Sequence, residues 1–339
     1  MTEAASLTFR ELRPGDAEPL CRLLADAFES EYAAQGIDVL AMRWQFQLIG
    51  WINRLLSPLK LEFFKVTVAL EGDRLLAAMT SFRAGRGAWY QGFGVVAPET
   101  RGRGLYRQVI RRSLIEVAAR GGKVTGGEIR VDNTPALRAY RDNVGARMLP
   151  IQEVFLAPVA AIPPPARAVA LARVRQAELG HLAPAEVLRA RSQGGFLLED
   201  EAERSLLAAC LSYQLPPLTA RSWAVWEGQR LRAFFRVRTH WPARLQAVDI
   251  AWVDPRESAS EVREMLLSLL ARVKPTTRAP IRIYVDSAET ALAAVCRELA
   301  FSLLAALCPI RVDSVEQALA RMSEEGRVRP EILAAEGQP

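Results

Sequence analysis

The chain repeats itself. Three segments of its first half recur in its second half in the same order. VALEGDRLLAAMTSFR (68–83) matches VWEGQRLRAFFRVR (225–238) as a strand, a turn and a strand. GFGVVAPETRGRGLYRQVIRRSLIEVAAR (92–120) matches VDIAWVDPRESASEVREMLLSLLAR (248–272), a strand feeding an amphipathic helix. EIRVDNTPALRAYRDNVGARML (128–149) matches IRIYVDSAETALAAVCRELAFSLL (281–304), a second strand and helix. An ordered repeat of this span points to two copies of one folding unit. AAIPPPAR at 160–167 parts them, and three consecutive prolines fit neither a helix nor a central strand. The expected division is 1–158, a connector at 159–167, and 168–339. A length of 339 residues agrees, at ~150 residues per domain.

Within the first copy, hydrophobic periodicity predicts the order β-α-α-β-β-β-α-β-α-β. A strand at 8–12 precedes a helix with Leu20, Leu23, Leu24 and Phe28 on one side, then a helix over 37–56. Strands follow at 66–70, 75–83 and 88–97, with a hairpin turn at Glu71-Gly72-Asp73. A helix over 104–120, a strand at 128–131, a helix at 135–143 and a strand at 147–157 complete the copy. The fold class is therefore α/β (α+β): two tandem copies, each a mixed, mostly antiparallel central sheet flanked by helices. Residues 44–64, WQFQLIGWINRLLSPLKLEFF, are dense in apolar groups. Packing of the second helix into the core is expected first. Lining of an acceptor pocket and a membrane-surface helix are the other two readings.

Composition excludes several functions. Half the residues are hydrophobic and 24% are charged, too apolar for a disordered chain. The net charge of +6 comes from dispersed arginines interleaved with acids, so a nucleic-acid partner is not expected. His181 and His240 are the two histidines, and Cys21, Cys210, Cys296 and Cys308 show no CxxC or Cys/His spacing. No metal site is expected, and the cysteines read as buried structural thiols. No run of ~18 apolar residues suggests a membrane span. The opening MTEAASLTFRELRPGD has no leader pattern, which makes the cytoplasm the expected location.

The chemistry concentrates at 92–140. A strand, GFGVV, runs through Ala97-Pro98 into RGRGLY at 101–106 and then a helix. A glycine-containing turn opening a helix presents unpaired N–H groups and the positive end of the helix dipole, a setting for phosphate. Gly102 and Gly104 shape that turn, and Arg101, Arg103 and Arg107 add full charges, with Arg111 and Arg112 beyond. The pattern is neither GxGxxG nor a P-loop. On the glycines alone, a solvated basic turn fits equally well.

The segment resembles motif A of the GNAT N-acetyltransferase superfamily, written [QR]xxGx[GA]. Arg101, Gly102, Arg103, Gly104 and Leu105 match it, and Tyr106 stands where the family has a small residue. Val96-Ala97-Pro98 matches the family's V-x-P, and Glu128, Asn133, Ala136 and Tyr140 fall at the spacings of its next strand and helix, followed by Gly145-Ala146. The resemblance covers about residues 8–150. It implies an acetyl-CoA site in which the main chain of Gly94, Val95 and Val96 holds the pantetheine arm and the Val96 N–H polarises the thioester carbonyl. It also implies a pyrophosphate held by Arg101 to Arg107, Tyr106 included, and an arm bonded by Asn133 beside Ala136. Tyr140 matches the acid for the departing thiolate, and Glu128 is the candidate base. No acid lies within 88–97, so a water relayed from Tyr90 or Gln91 is the alternative base. Gly92 and Gly94 would permit a bulge in that strand. Asn133 reads equally as a helix N-cap.

The second copy has Ser258-Ala259-Ser260-Glu261-Val262 opposite the glycine turn, so no cofactor is expected there. The expected activity is acetyl transfer from acetyl-CoA to an amine on a small molecule or peptide, without an acyl-enzyme. A non-catalytic acetyl-CoA sensor is the alternative. Mycothiol synthase also resembles a tandem GNAT protein, but there the C-terminal copy is the active one. A monomer, as an internal pseudo-dimer, or a homodimer fits the repeat.

Overall fold

The computed structural model describes residues 7–35, 39–40, 43–56, 64–85, 87–144, 152–174, 221–240, 245–274, 280–286 and 289–311. His181, Cys210, Gly145-Ala146 and the C-terminal tail lie outside them.

The N-terminal half holds β1 (Leu7–Glu11), α1 (Ala17–Gln35), α2 (Arg43–Leu56), β2 (Phe64–Glu71), β3 (Arg74–Gly85), β4 (Ala88–Val96), α3 (Leu105–Ala118), β5 (Val124–Arg130), α4 (Thr134–Val144) and β6 (Gln152–Ala157). The C-terminal half holds β7 (Ala172–Val174), β8 (Arg221–Glu227), β9 (Arg230–His240), β10 (Leu245–Val253), α5 (Ala259–Val273), β11 (Ile281–Asp286), α6 (Thr290–Glu298) and β12 (Ser302–Arg311). The matched segments are β2–β3 with β8–β9, β4–α3 with β10–α5, and β5–α4 with β11–α6.

All twelve described strands form one sheet, in the order β1-β2-β3-β4-β5-β12-β6-β11-β10-β9-β8-β7. The two copies exchange their last strands. β12, from the end of the chain, pairs antiparallel with β5, while β6 pairs antiparallel with β11. β12 and β6 then pair with each other at the centre.

Both faces of the N-terminal half are covered, which is why β2 is buried almost end to end. Phe64, Val66, Val68 and Leu70 point to α1 and α2. Lys65 and Thr67 alternate to the other face, where Lys65 Nζ lies 3.0 Å from the Glu116 carboxylate of α3 and the Thr67 hydroxyl donates to it at 3.1 Å. Ser81 and Ser113 bond at 2.7 Å on the same side. The core of α3 and α4 joins Leu76, Met79, Val109, Ile110, Leu114 and Ile129. In the C-terminal half, α5 and α6 pack on Phe235, Val248, Ile281, Ile283 and Phe155. Phe155 belongs to β6, so the exchanged strand is part of that core.

The proline segment is fastened rather than slack. Ile162 and Leu171 are buried in the C-terminal core, and the N–H groups of Arg167 and Val169 donate to Glu264 and Ser268 of α5 at 2.8 and 2.9 Å.

Two expectations need correction. β5 starts at Val124, not 128. At Gly127 only a missing Cβ allows β4 so near: a Cβ there would sit 2.5 Å from the Gln91 carbonyl oxygen. α2 is described from Arg43, and only one of its faces is core. Phe46 and Asn53 are buried, whereas Trp44, Leu48, Trp51 and Leu55 are 49–73% exposed. Cys21 and Cys296 are buried free thiols, and burial pushes the Cys296 thiol up to about 12. No described helix is long and apolar enough to cross a membrane.

Candidate functional site

β4 and β5 are parallel neighbours for four rungs, Ala88 with Val124 through Gln91 with Gly127, and then part. The parting has a local cause. After Gln91 faces Ser81, the next β3–β4 pair is Gly94 with Met79, so Gly92 and Phe93 oppose Thr80 alone. This is the bulge that Gly92 and Gly94 would permit. The Thr80 hydroxyl takes the place of the missing ladder bonds, accepting from the Phe93 N–H at 2.8 Å and donating to its carbonyl at 3.3 Å. Past the bulge, Ala97 N–H bonds to Leu76 at 2.8 Å and Val95 faces Ala78. Strand alternation therefore turns the main-chain groups of Gly94 and Val96 away from β3, into the gap where β5 has left.

The gap leads to the start of α3. Pro98–Thr100 form a 3-10 turn, then Gly102 and Gly104 take φ of 82° and 77°. Both glycines are there for the left-handed backbone. A Cβ at either would meet nothing within 4 Å, so the space above the turn is open. Gly104 is the N-cap and offers no side chain, and the first helical bond is Gln108 N–H to Gly104 C=O at 3.2 Å. The amides of Leu105, Tyr106 and Arg107 lie ahead of it, facing outward. Arg101, Arg103 and Arg107 are exposed around them, Arg103 meeting Glu71 at 2.9 Å. Arg112 is turned to Glu116 at 3.2 Å, and burial together with Arg107 lowers the Arg111 pKa.

A chain of buried hydroxyls closes the inner end. The Tyr140 phenol of α4, 3% exposed, donates to Gln91 Oε1 at 2.5 Å, at the last rung before β4 and β5 separate. Tyr106 hydrogen-bonds to Tyr140, and burial pushes the Tyr106 phenol up to about 12. Each phenol has one proton, so with Tyr140 donating to Gln91, Tyr106 donates to Tyr140. Tyr106 is also why Gly94 is glycine: a Cβ there would sit 2.6 Å from the tyrosine ring. Gln91 Nε2 is buried with no protein partner, a donor left over beside the gap. Sequence reasoning placed Tyr106 at the diphosphate and missed its bond to Tyr140. It named Gln91 as a water relay and missed its bond to the same tyrosine.

Asn133 is the N-cap of α4, its Oδ1 accepting from Ala136 N–H at 3.1 Å, with Ala136 buried. Glu128 lies on the other face of the sheet. Tyr90, the partner of Gly126, shares that face and bonds to the Glu128 carboxyl, as does Tyr284 of β11. Desolvation raises the Glu128 pKa, opposed by Arg282 and the two phenols. The structure thus gathers Gly94, Val96, the 101–107 turn, Tyr106 and Tyr140 on one side, but not Val95, whose main chain faces Ala78 of β3 and whose side chain is buried against the α1 and α2 core. It sets Glu128 across the sheet from Tyr140, with residues of the second copy.

The second copy treats its equivalent helix start differently. Ser258 and Glu261 form a reciprocal capping box at α5, with Ser258 Oγ accepting from Glu261 N–H at 3.3 Å. Asp254, Glu257 and Glu261 fill the surroundings, bound to Arg230, Arg232 and Arg256. The Glu261 carboxyl is held down to about 2 by Arg232 and the Ser258 donors. Its helix start is already capped by the chain's own side chains.

No model of a known protein family matches the chain, and no curated protein matches it. Solved structures do. A GCN5-related N-acetyltransferase from Sphaerobacter thermophilus is similar with a TM-score of 0.56 at 14% identity, over 90% of this chain and 96% of that one. A putative acetyltransferase from Pyrococcus horikoshii is similar with a TM-score of 0.54 at 14% identity, over 92% and 90%. A tandem GNAT protein from the clavulanic acid biosynthesis pathway is similar with a TM-score of 0.53 at 15% identity, over 91% and 99%.

Proposed function

We propose that this chain, whose fold is that of the tandem GNAT proteins, is an acetyl-CoA-dependent N-acetyltransferase with its active site in the N-terminal copy. The observation that carries this reading is a coincidence of three features in one place. The β4–β5 gap, the uncapped start of α3 and the buried Tyr140 phenol lie along one path.

The residues fit the cofactor. The open space over Gly102 and Gly104, the outward amides of Leu105 to Arg107, and the guanidinium groups of Arg101, Arg103 and Arg107 suit a diphosphate. The main chain of Gly94 and Val96, turned into the gap, suits an amide-bearing arm, to which the exposed Asn133 amide at the start of α4 would donate. The α5 start, already capped and acidic, does not suit a diphosphate, so only one copy would be loaded.

Bound there, acetyl-CoA supplies an acyl group activated as a thioester, with a thiolate as leaving group. The Val96 N–H acts as an oxyanion donor. Tyr140 Oη holds the proton the thiolate requires, and the Tyr106 hydroxyl and the spare Gln91 Nε2 offset the charge Tyr140 would then carry. Glu128 takes the proton of the incoming ammonium, which at pKa ~10 is nearly all charged at neutral pH. Its raised pKa brings it closer to that task. The acceptor is an amine of a small molecule or peptide.

Calorimetry and thiol release with an amine panel test this together. Tyr140→Phe is expected to leave the Kd for coenzyme A unchanged and to lower kcat about 10²-fold or more. Absence of any heat of coenzyme A binding to folded wild type overturns the reading. Binding with equal turnover by wild type and Tyr140→Phe removes Tyr140 from the chemistry.

A further inference from the structure

Glu128 does not stand among residues of its own copy. Register carries it across the centre of the sheet: Glu128 faces Leu307 of β12, Leu307 faces Gln152 of β6, and Gln152 faces Asp286 of β11. Tyr284 and Arg282 follow on the same face of β11, at the positions facing Val154 and Leu156. On a flat sheet, three strand spacings of ~4.8 Å separate β5 from β11, about 14 Å. Extended tyrosine and glutamate side chains with a hydrogen bond between them reach nearly that far, and the Tyr284 phenol bonds to the Glu128 carboxyl. Arg130 of β5 shares the face and is held by Asp132 at 2.6 Å; from the other strands, Glu128 is faced by Tyr90 of β4, the neutral Gln152 of β6, and Arg282, Tyr284 and Asp286 of β11. Arg282 also bonds to Tyr284. The carboxyl end of Glu128 is desolvated, while the residue as a whole is half-buried.

We propose that the second copy completes the acceptor side of the active site, with Arg282 and Tyr284 of β11 acting as positioning residues that aim and charge-balance the Glu128 carboxylate. The second copy, with its phosphate turn filled, then contributes directly to the site that the first copy loads. The proposal rests on the acetyltransferase reading only for what Glu128 does, not for what holds it.

The test follows the Glu128 carboxyl directly in the full-length protein. Infrared difference spectra between wild type and Glu128→Gln, taken across pH, isolate its protonated carbonyl band. Arg282 favours the ionised form, and so does the Tyr284 hydroxyl. Removing either therefore moves the midpoint upward, by roughly one pH unit. Tyr284→Phe and Arg282→Gln are both expected to do so, with Arg282→Lys restoring most of the shift. The isosteric Tyr284→Phe guards against a variant that misfolds. The acidic limb of kcat/KM should move with the band, a loss of about tenfold on that limb that higher pH recovers. A folded Tyr284→Phe or Arg282→Gln protein with an unmoved midpoint overturns the proposal. A moved midpoint with coenzyme A bound and no amine acetylated supports the coupling between copies and sinks the acetyltransferase reading instead.

Discussion

Tyr106 shows how one departure from a motif acquires meaning from distant residues. In sequence it is an oversized residue in a turn that otherwise has small ones. In the structure its ring occupies the space that Gly94 leaves empty, and its hydroxyl bonds to Tyr140. Neither neighbour is close in sequence, so periodicity could not connect them. Tyr106→Phe keeps the packing and removes the donor. A hydrogen bond of ~1.4 kcal/mol lost in the transition state is a factor of about ten, so kcat should fall tenfold with KM and the Kd for coenzyme A unchanged. An equal loss in binding would mean that Tyr106 serves the diphosphate instead. Gly127 makes a second case. Its Cβ would meet the Gln91 carbonyl, part of the backbone, so the strand and not a side chain must yield. Gly127→Ala is expected to cost about 1–3 kcal/mol in a denaturant titration. It should also weaken Tyr140 function, because Gln91 anchors that phenol. The pair Gly126-Gly127 concealed four residues of β5 from sequence reasoning.

Two helices of equivalent position, α3 and α5, show what the sequence states openly. RGRG stands opposite SASE, and the structure has a bare Gly104 at one start and a reciprocal Ser258–Glu261 box at the other. Caps are local, so four residues suffice to specify them. Docking of α3 on the sheet is not local. It depends on Lys65 of β2, 5% exposed, reaching Glu116 of α3. A buried lysine left without its carboxylate is destabilising, and Glu116→Ala should cost about 3 kcal/mol, read as a lower denaturant midpoint. The Glu11 carboxylate at 3.6 Å softens the loss, so Lys65→Met with Glu116→Leu should recover stability above the single change. α2 illustrates the limit of pattern reading. Its apolar residues satisfy a helical period twice over, on both faces, and only packing decides that Phe46 turns inward while Trp44, Leu48, Trp51 and Leu55 face out.

For the molecule as a whole, the repeat is plain in the sequence and the exchange of strands is not. β6 and β12 are the last strands of their respective copies, and each has a pattern that would suit the slot beside either β5 or β11. Which slot each takes is a choice between long-range pairings, and alternation along a strand carries no information about that choice. The consequence is that neither copy of the sheet is finished by its own segment of chain. β12 bonds to β5 from Ala305 to Arg311 and to β6 from Ser302 to Leu307, so it fills the middle of the sheet rather than an edge. A chain ending after Ala300 would lose a terminal strand in sequence but a central one in space. It would bare β5 along its full length and one side of β6, two unpaired strand edges next to apolar cores. The expected outcome is loss of the folded protein as one cooperative unit, seen as aggregation in size-exclusion chromatography and the absence of a single thermal transition. Loss of an ordinary C-terminal edge strand would instead leave a soluble N-terminal half with a lowered Tm. A truncated chain that stays monomeric and melts cooperatively near the full-length temperature would show that β6 returns to the side of β5. In that case the exchanged arrangement is a preference of the linked copies rather than a requirement of either.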